Sequence, residues 1–135
     1  MSRDKTRSRA DRWQGEHVPY RYRPRDYLVN PEFFGVRVDA DWLPYDENDM
    51  GEKRIVAASY YQHLAACETL RVAGQRGWGM DELASALGDN RHTLSRKLYG
   101  RSPADITDIV AWALVTEWIN VLPAPSGIAE LLPPT

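Results

Sequence analysis

The stretch Gly79-Met80-Asp81-Glu82-Leu83-Ala84-Ser85-Ala86-Leu87-Gly88-Asp89-Asn90-Arg91-His92-Thr93-Leu94-Ser95-Arg96-Lys97-Leu98-Tyr99-Gly100 decides the fold of this chain. Leu83, Ala84 and Leu87 recur at i, i+1 and i+4, the spacing of a helix that buries one stripe. Gly88 follows the last apolar residue, where leaving a helix commonly requires a left-handed backbone. Asn90, or Asp89 beside it, is placed to cap a second helix by accepting from a free backbone N–H. Leu94 and Leu98 stand four apart in that second helix and turn it toward the first. Arg91, His92, Ser95 and Arg96 are left facing outward. The pattern is two short helices joined by a tight turn, with a thin apolar seam behind and a polar, basic face in front.

The flanks supply the support such a pair needs. Asp49 followed by Glu52 has capping-box spacing, so a helix is expected from Met50 or Gly51 to about Gln75. Its main stripe is Val56, Tyr60, Leu64 and Cys67, and Ala57, Ala58, Ala65 and Ala66 favour helix and allow close approach. His63 reads as a surface or edge residue: Glu68, five positions on, lies off its face, and no nucleophile accompanies the two. Gly74, Gly77 and Gly79 end this helix around Trp78, a plug under the turn. On the far side, Ser102 is expected to cap a last helix with Pro103 at its first position and Asp105 near its start. Ile106, Ile109, Val110, Ala113 and Leu114 form the expected buried face. Trp112, Val115, Trp118, Ile119 and Leu122 widen the apolar arc beyond what one face needs, so the helix is either sandwiched within the domain or faces a partner subunit. A homodimer through Trp112, Trp118, Ile119 and Leu122 is expected.

The chain divides into a basic, flexible arm (1–26), an acidic and aromatic extension (27–49), the helical domain (50–122) and a Pro-rich tail (123–135). Residues 1–26 carry eight Lys or Arg against four acids, while residues 27–52 carry Arg37 alone against seven acids. Within the arm Tyr20, Arg21, Tyr22, Arg23, Arg25 and Tyr27 alternate aromatic with basic around Pro19 and Pro24, which argues for an extended conformation. Arg21, Arg23 and Arg25 are the candidates there for contact with a polyanion; an inert solvated tail is the other reading. In the extension Val36, Val38 and Ala40 alternate with Arg37, Asp39 and Asp41, the period of a short strand or hairpin. Phe33, Phe34, Trp42, Leu43 and Tyr45 are too many large apolar groups for a free loop, so the segment is expected to pack on the helices. Asp39, Asp41, Asp46, Glu47 and Asp49 read as a solvated face.

A chain of 135 residues with net charge −2 suits one domain whose overall charge conceals opposed segments. Its single cysteine, Cys67, rules out an intrachain disulfide and a thiolate zinc site, and reads as a small core residue. No apolar run approaches the ~20 residues of a membrane span. The polar start lacks the apolar core of a secretory signal, so a cytoplasmic protein is expected. Three isolated histidines and the absence of a phosphate-binding glycine loop leave no catalytic constellation. The chain is expected to be no enzyme and to need no cofactor or metal.

The run from Leu70-Arg71 to Leu114 resembles the DNA-binding domain of lambda-repressor-like, or Xre-type, helix-turn-helix proteins. The matching pieces are Asp81-Glu82-Leu83-Ala84, Leu87-Gly88, Thr93-Leu94-Ser95-Arg96, Leu98-Tyr99-Gly100, and Pro103 to Ala111 leading to Ala113-Leu114, roughly a third of the chain. The resemblance implies a mainly α helix-turn-helix bundle; the extended N-terminal arm and the short strand or hairpin read from the residues lie outside the family pattern. The resemblance also implies a dimer whose second short helix lies in the major groove of double-stranded DNA. Carried over, the reading positions are Asn90, Arg91, His92, Thr93, Ser95 and Arg96, with Lys97 and Arg101 on phosphates. Gly79 and Met80 stand where the family often carries Thr-Gln, so one phosphate anchor of the family is missing. The implied function is sequence-specific transcriptional regulation, as a repressor. The alternatives are a regulator that binds another regulator or RNA polymerase through residues 28–49, and a phage-type DNA-recognition or packaging subunit.

Overall fold

The computed structural model describes residues 22–117, and within that span the protein is mainly helical. Four α-helices follow one another: α1 (Met50–Gln75), α2 (Met80–Leu87), α3 (Arg91–Leu98) and α4 (Ile106–Thr116). Two 3-10 turns, Pro24–Tyr27 and Pro31–Phe33, precede them. The arm residues before Tyr22, including Arg21, and the C-terminal Trp118, Ile119, Leu122 and Pro-rich tail lie outside the described residues.

Helix α1 begins where its cap predicts. The Asp49 carboxylate accepts from the Glu52 N–H at 3.1 Å, satisfying one of the donors a helix start leaves open. The Glu52 carboxylate accepts from the Asp46 N–H rather than closing the box on Asp49. The buried face of α1 is rotated and more polar than the expected stripe. Val56 and Cys67 are inside, but Tyr60 is exposed, and Ser59, Gln62, His63 and Thr69 are buried beside Ala65, Ala66 and Ala73. Small residues dominate this face because α4, α3 and the first 3-10 turn all close on it.

His63 is not at an edge; its side chain is 0% exposed. The extension before α1 covers it: Gly35 N–H donates to His63 Nδ1 at 3.0 Å, and the rings of Phe34 and Trp42 meet it edge-on at 5.1 and 5.7 Å. Nδ1 must therefore be unprotonated, and burial lowers the imidazole below its ordinary value, against the pull of the Arg37 and Val38 carbonyls. Cys67, one turn on, places Sγ 3.7 Å from His63 Nε2. Burial pushes its thiol up to about 11, in keeping with a core role.

The extension packs on the helices as its aromatic content predicts, but not as a strand. Residues 34–39 run through consecutive turns, and Val36 and Val38 are both exposed, so the period-two pattern is that of a looped chain with both faces wet. The pairing that does form is an isolated antiparallel bridge between Leu28 and Trp42, closed by Val29 N–H to Asp41 O at 2.9 Å and Leu43 N–H to Tyr27 O at 2.8 Å. The extended path expected through Pro24 is also replaced. Pro24 opens a 3-10 turn, where its fixed φ and missing N–H cost nothing, and both Pro24 and Tyr27 are buried.

Helix α4 differs from expectation at both its start and its facing. Ser102 and Pro103 precede it in irregular backbone, and Asp105 is the cap: it accepts from Asp108 N–H at 2.8 Å while Asp108 accepts from Asp105 N–H at 3.0 Å. The inward face is Trp112, Ala113 and Thr116, with Ile109 and Val115 packed at its margins. Trp112 is 0% exposed, so it is a core residue and not a dimer contact, whereas Ile106, Val110 and Leu114 are 72%, 37% and 59% exposed. The helix turns inward the face that carries the indole, which joins Leu28, Phe34, Leu83, Leu94 and Leu98 in one core.

The lowered His63 sets a pH dependence. The unfolded chain takes up a proton below about pH 6.5, where the folded His63 still resists it, so stability falls as pH drops through that region. Urea midpoints are expected to decrease between pH 7.5 and 5.5, and to decrease less in His63→Gln. Parallel behaviour of the two proteins contradicts the role given to His63.

Candidate nucleic-acid interface

Helices α2 and α3 form the pair read from the sequence. Leu83 and Ala84 of α2 and Leu94 and Leu98 of α3 are buried in one core with Leu28, Phe34, Ala66 and Trp112. Glu82 accepts from Gly79 N–H at 2.8 Å at the start of α2. Gly88, at φ +73°, ends that helix in the left-handed region. The cap of α3 is Asn90: its Oδ1 accepts from His92 N–H at 2.9 Å and Thr93 N–H at 3.1 Å. Asn90 is thereby committed to the backbone and withdrawn from contact with a base.

The far end of α3 is held more firmly than a turn alone would hold it. Gln62, inside α1, donates through Nε2 to Lys97 O at 2.7 Å and Ser102 O at 3.1 Å. Its Oε1 accepts from Ala104 N–H at 2.8 Å. One buried amide thus satisfies both ends of the irregular link between α3 and α4, groups that would otherwise be costly to bury. This is why the chain from Ser102 to Ala104 is not the first turn of α4. Gly100 closes the same link at φ +76°, and its carbonyl accepts from Arg25 N–H at 2.9 Å. A Cβ on Gly100 would stand 2.6 Å from the Phe34 ring, so the position needs glycine for both conformation and space.

Against this scaffold the outward face of α3 is a row of polar side chains. Arg91, His92, Thr93 and Arg96 are exposed and Ser95 is half-buried. Arg91 is paired with Asp81 of α2 at 3.1 Å, so the face is not free of acid. Lys97 reaches back to Asp108 of α4 at 2.9 Å, with both side chains largely covered. Lys97 therefore ties two helices together. Arg101 is exposed just beyond the helix.

The link at Gly100 also brings the start of the described chain to the end of α3. The bond from its N–H to the Gly100 carbonyl puts Arg25 next to Arg101, and Arg25 is lowered from its ordinary value by burial and then by the charge of Arg101. Arg25 Nε donates to Pro31 O at 3.3 Å, and Arg23 is bridged to Asp26 at 2.8 Å. The part of the expected arm from Tyr22 onward is thus docked on the body, with Arg25 next to Arg101 and Arg23 bridged to Asp26. No sequence pattern announced this; it follows from the Phe34 and Gly100 contact.

The aromatic groups that would serve a protein partner through residues 28–49 are mostly turned inward. Phe34 and Leu28 are buried, and Phe33 and Trp42 pack against the same core. Tyr45, Val36 and Val38 remain exposed.

The support of α3 can be measured. Gly100→Ala combines a left-handed backbone with a clash and is expected to cost roughly 2–4 kcal/mol in urea unfolding. Gly77→Ala, at φ +73° with open space around it, carries the backbone term alone and should cost about 1–2 kcal/mol. Equal losses would show that Phe34 does not press on Gly100. Compared with known proteins, the chain matches no family model, no curated protein and no solved structure.

Proposed function

We propose that this protein is a sequence-specific double-stranded DNA-binding regulator that reads the major groove with α3 and represses by occupying its site. The observation that carries this reading is the exposed row Arg91, His92, Thr93 and Arg96 on a helix buried along its other side and pinned at both ends. An eight-residue helix is about 12 Å long, short enough for its first turns to enter a groove about 12 Å wide. Its side chains match base edges: Arg91 or Arg96 to guanine O6 and N7, Thr93 to a thymine methyl. Arg101, with Arg25 beside it, supplies charge for phosphates, which position the protein without reading sequence.

Asn90 and Lys97, both candidates from the sequence, have structural duties and are left out of the reading set. The rival through residues 28–49 has little support from a segment whose aromatic groups mostly cover the core. The net charge of −2 is a sum over the chain and does not describe the face itself: seven of the 19 acids fall in residues 27–52, outside α2 and α3.

Binding to a duplex should weaken steeply with salt, and Arg91→Ala should reduce discrimination at one base position roughly 5- to 150-fold. Fluorescence anisotropy on matched and mismatched duplexes at several KCl concentrations measures both. Full specific binding by a variant lacking Arg91 and Arg96 would remove α3 as the reading element.

The second part of the proposal is a homodimer, as paired half-sites require. With Trp112 inside, the surface for it on the described residues is the exposed stripe Ile106, Val110 and Leu114, one turn apart along α4. Leu114→Glu should convert a dimer to a monomer in sedimentation equilibrium. An unchanged dimer mass would move the interface off α4.

A further inference from the structure

We infer that Asp81 is a positioning residue for Arg91, which it aims at a guanine while weakening binding to DNA of every sequence. The inference rests on the reading that α3 enters the groove. Asp81 is the second residue of α2 and Arg91 the first of α3, and Asp81 Oδ1 lies 3.1 Å from Arg91 Nη1 with both side chains largely exposed.

The pair does little for the fold. Exposed ion pairs contribute little to stability, because water and salt screen them. Nor is Asp81 needed to cap α2, since Glu82 already accepts from the Gly79 N–H at the helix start. The two helices are held by Leu83, Ala84, Leu94 and Leu98, not by this contact. What the carboxylate does constrain is a long side chain with no other partner among the described residues. A guanidinium has five donors in a planar fork, and one bound at Nη1 still presents its remaining edges to a second acceptor. Limiting the rotamers of Arg91 before DNA arrives reduces the ordering required on binding. That gain is realised only where a bidentate acceptor such as guanine O6 and N7 stands in the right place.

The same carboxylate has a second effect of opposite sign. The first helix of such a pair crosses the DNA backbone, so a negative charge in its first turn faces phosphates. Repulsion of this kind acts on all duplexes alike. Asp81 therefore exchanges affinity for discrimination, and removal of its charge separates the two effects.

The test uses the full chain with Asp81→Asn, Asp81→Glu, Arg91→Ala and the Asp81→Asn/Arg91→Ala double variant. The probes are a duplex selected by the wild type from a random pool and a copy altered at the base where Arg91→Ala loses preference. Asp81→Asn should bind both duplexes more tightly, yet its ratio between them should fall roughly twofold to fivefold, within what an exposed ion pair can supply and a part of the full bidentate discrimination. Asp81→Glu, which keeps the charge, should retain part of the ratio. In the Arg91→Ala background Asp81→Asn should leave the ratio untouched. If Asp81→Asn tightens binding to both duplexes by one common factor, Asp81 is only a repulsive charge and the inference fails while the groove reading stands. If the wild type selects no preferred duplex, the groove reading and this inference fall together. The melting temperature of Asp81→Asn should match that of the wild type; a fall accompanied by loss of binding would make Asp81 structural and overturn its positioning role.

Discussion

The side-chain amide of Gln62 is the interaction on which the working end of this fold depends. It lies on the long helix, is almost fully buried, and uses both its donors and its acceptor on the link between α3 and α4. An amide fully engaged inside a protein is worth more than a surface bond, because losing it leaves several buried backbone groups unpaired at once. Through this one side chain the position of α3 is referred to α1, the largest rigid element present. Phe34 under Gly100 and the Arg25 N–H on the Gly100 carbonyl add a second tie from the N-terminal side. A reading helix has to be held within a fraction of an ångström for its side chains to discriminate bases, and rigid support is what converts an exposed basic face into a selective one.

Charge at the surface is arranged around the same end. Asn90 closes one terminus of α3 and Lys97, paired with Asp108, ties the other to α4. Arg91 and Arg96 remain as the cations on the exposed row, with Arg25 and Arg101 together at the margin. Under the proposed function this divides labour between residues that build the element and residues that meet the nucleic acid.

Local signals in the sequence were sufficient for local structure. Asp49 with Glu52, Gly74 with Gly77, and Gly88 with Asn90 locate both ends of α1, the end of α2 and the start of α3, because caps and turns are made by near neighbours. Several of the differences involve partners distant in sequence. Spacing within α1 suggests an edge position for His63, because the groups that bury it, Gly35 and Trp42, belong to a loop with no helical period. Ser102 and Pro103 form a sound helix start on their own, but Gln62, 42 residues before Ala104, claims the backbone first. Trp112 reads as an outward residue from sequence because Ile106, Val110 and Leu114 make an equally regular stripe, and periodicity alone does not choose between two apolar faces. The proposed site was legible as a face, while the pairing of Arg91 with Asp81 and of Lys97 with Asp108 was not, because each joins separate helices.

The central claim is that a rigidly held α3 reads DNA sequence. Repeated selection of duplexes from a random pool by the full chain, followed by sequencing, tests it most directly. The account predicts convergence on a two-fold symmetric consensus with a guanine in each half-site, which a variant lacking Arg91 fails to enrich. A pool that stays random after several rounds, or one that converges identically without Arg91, would contradict it.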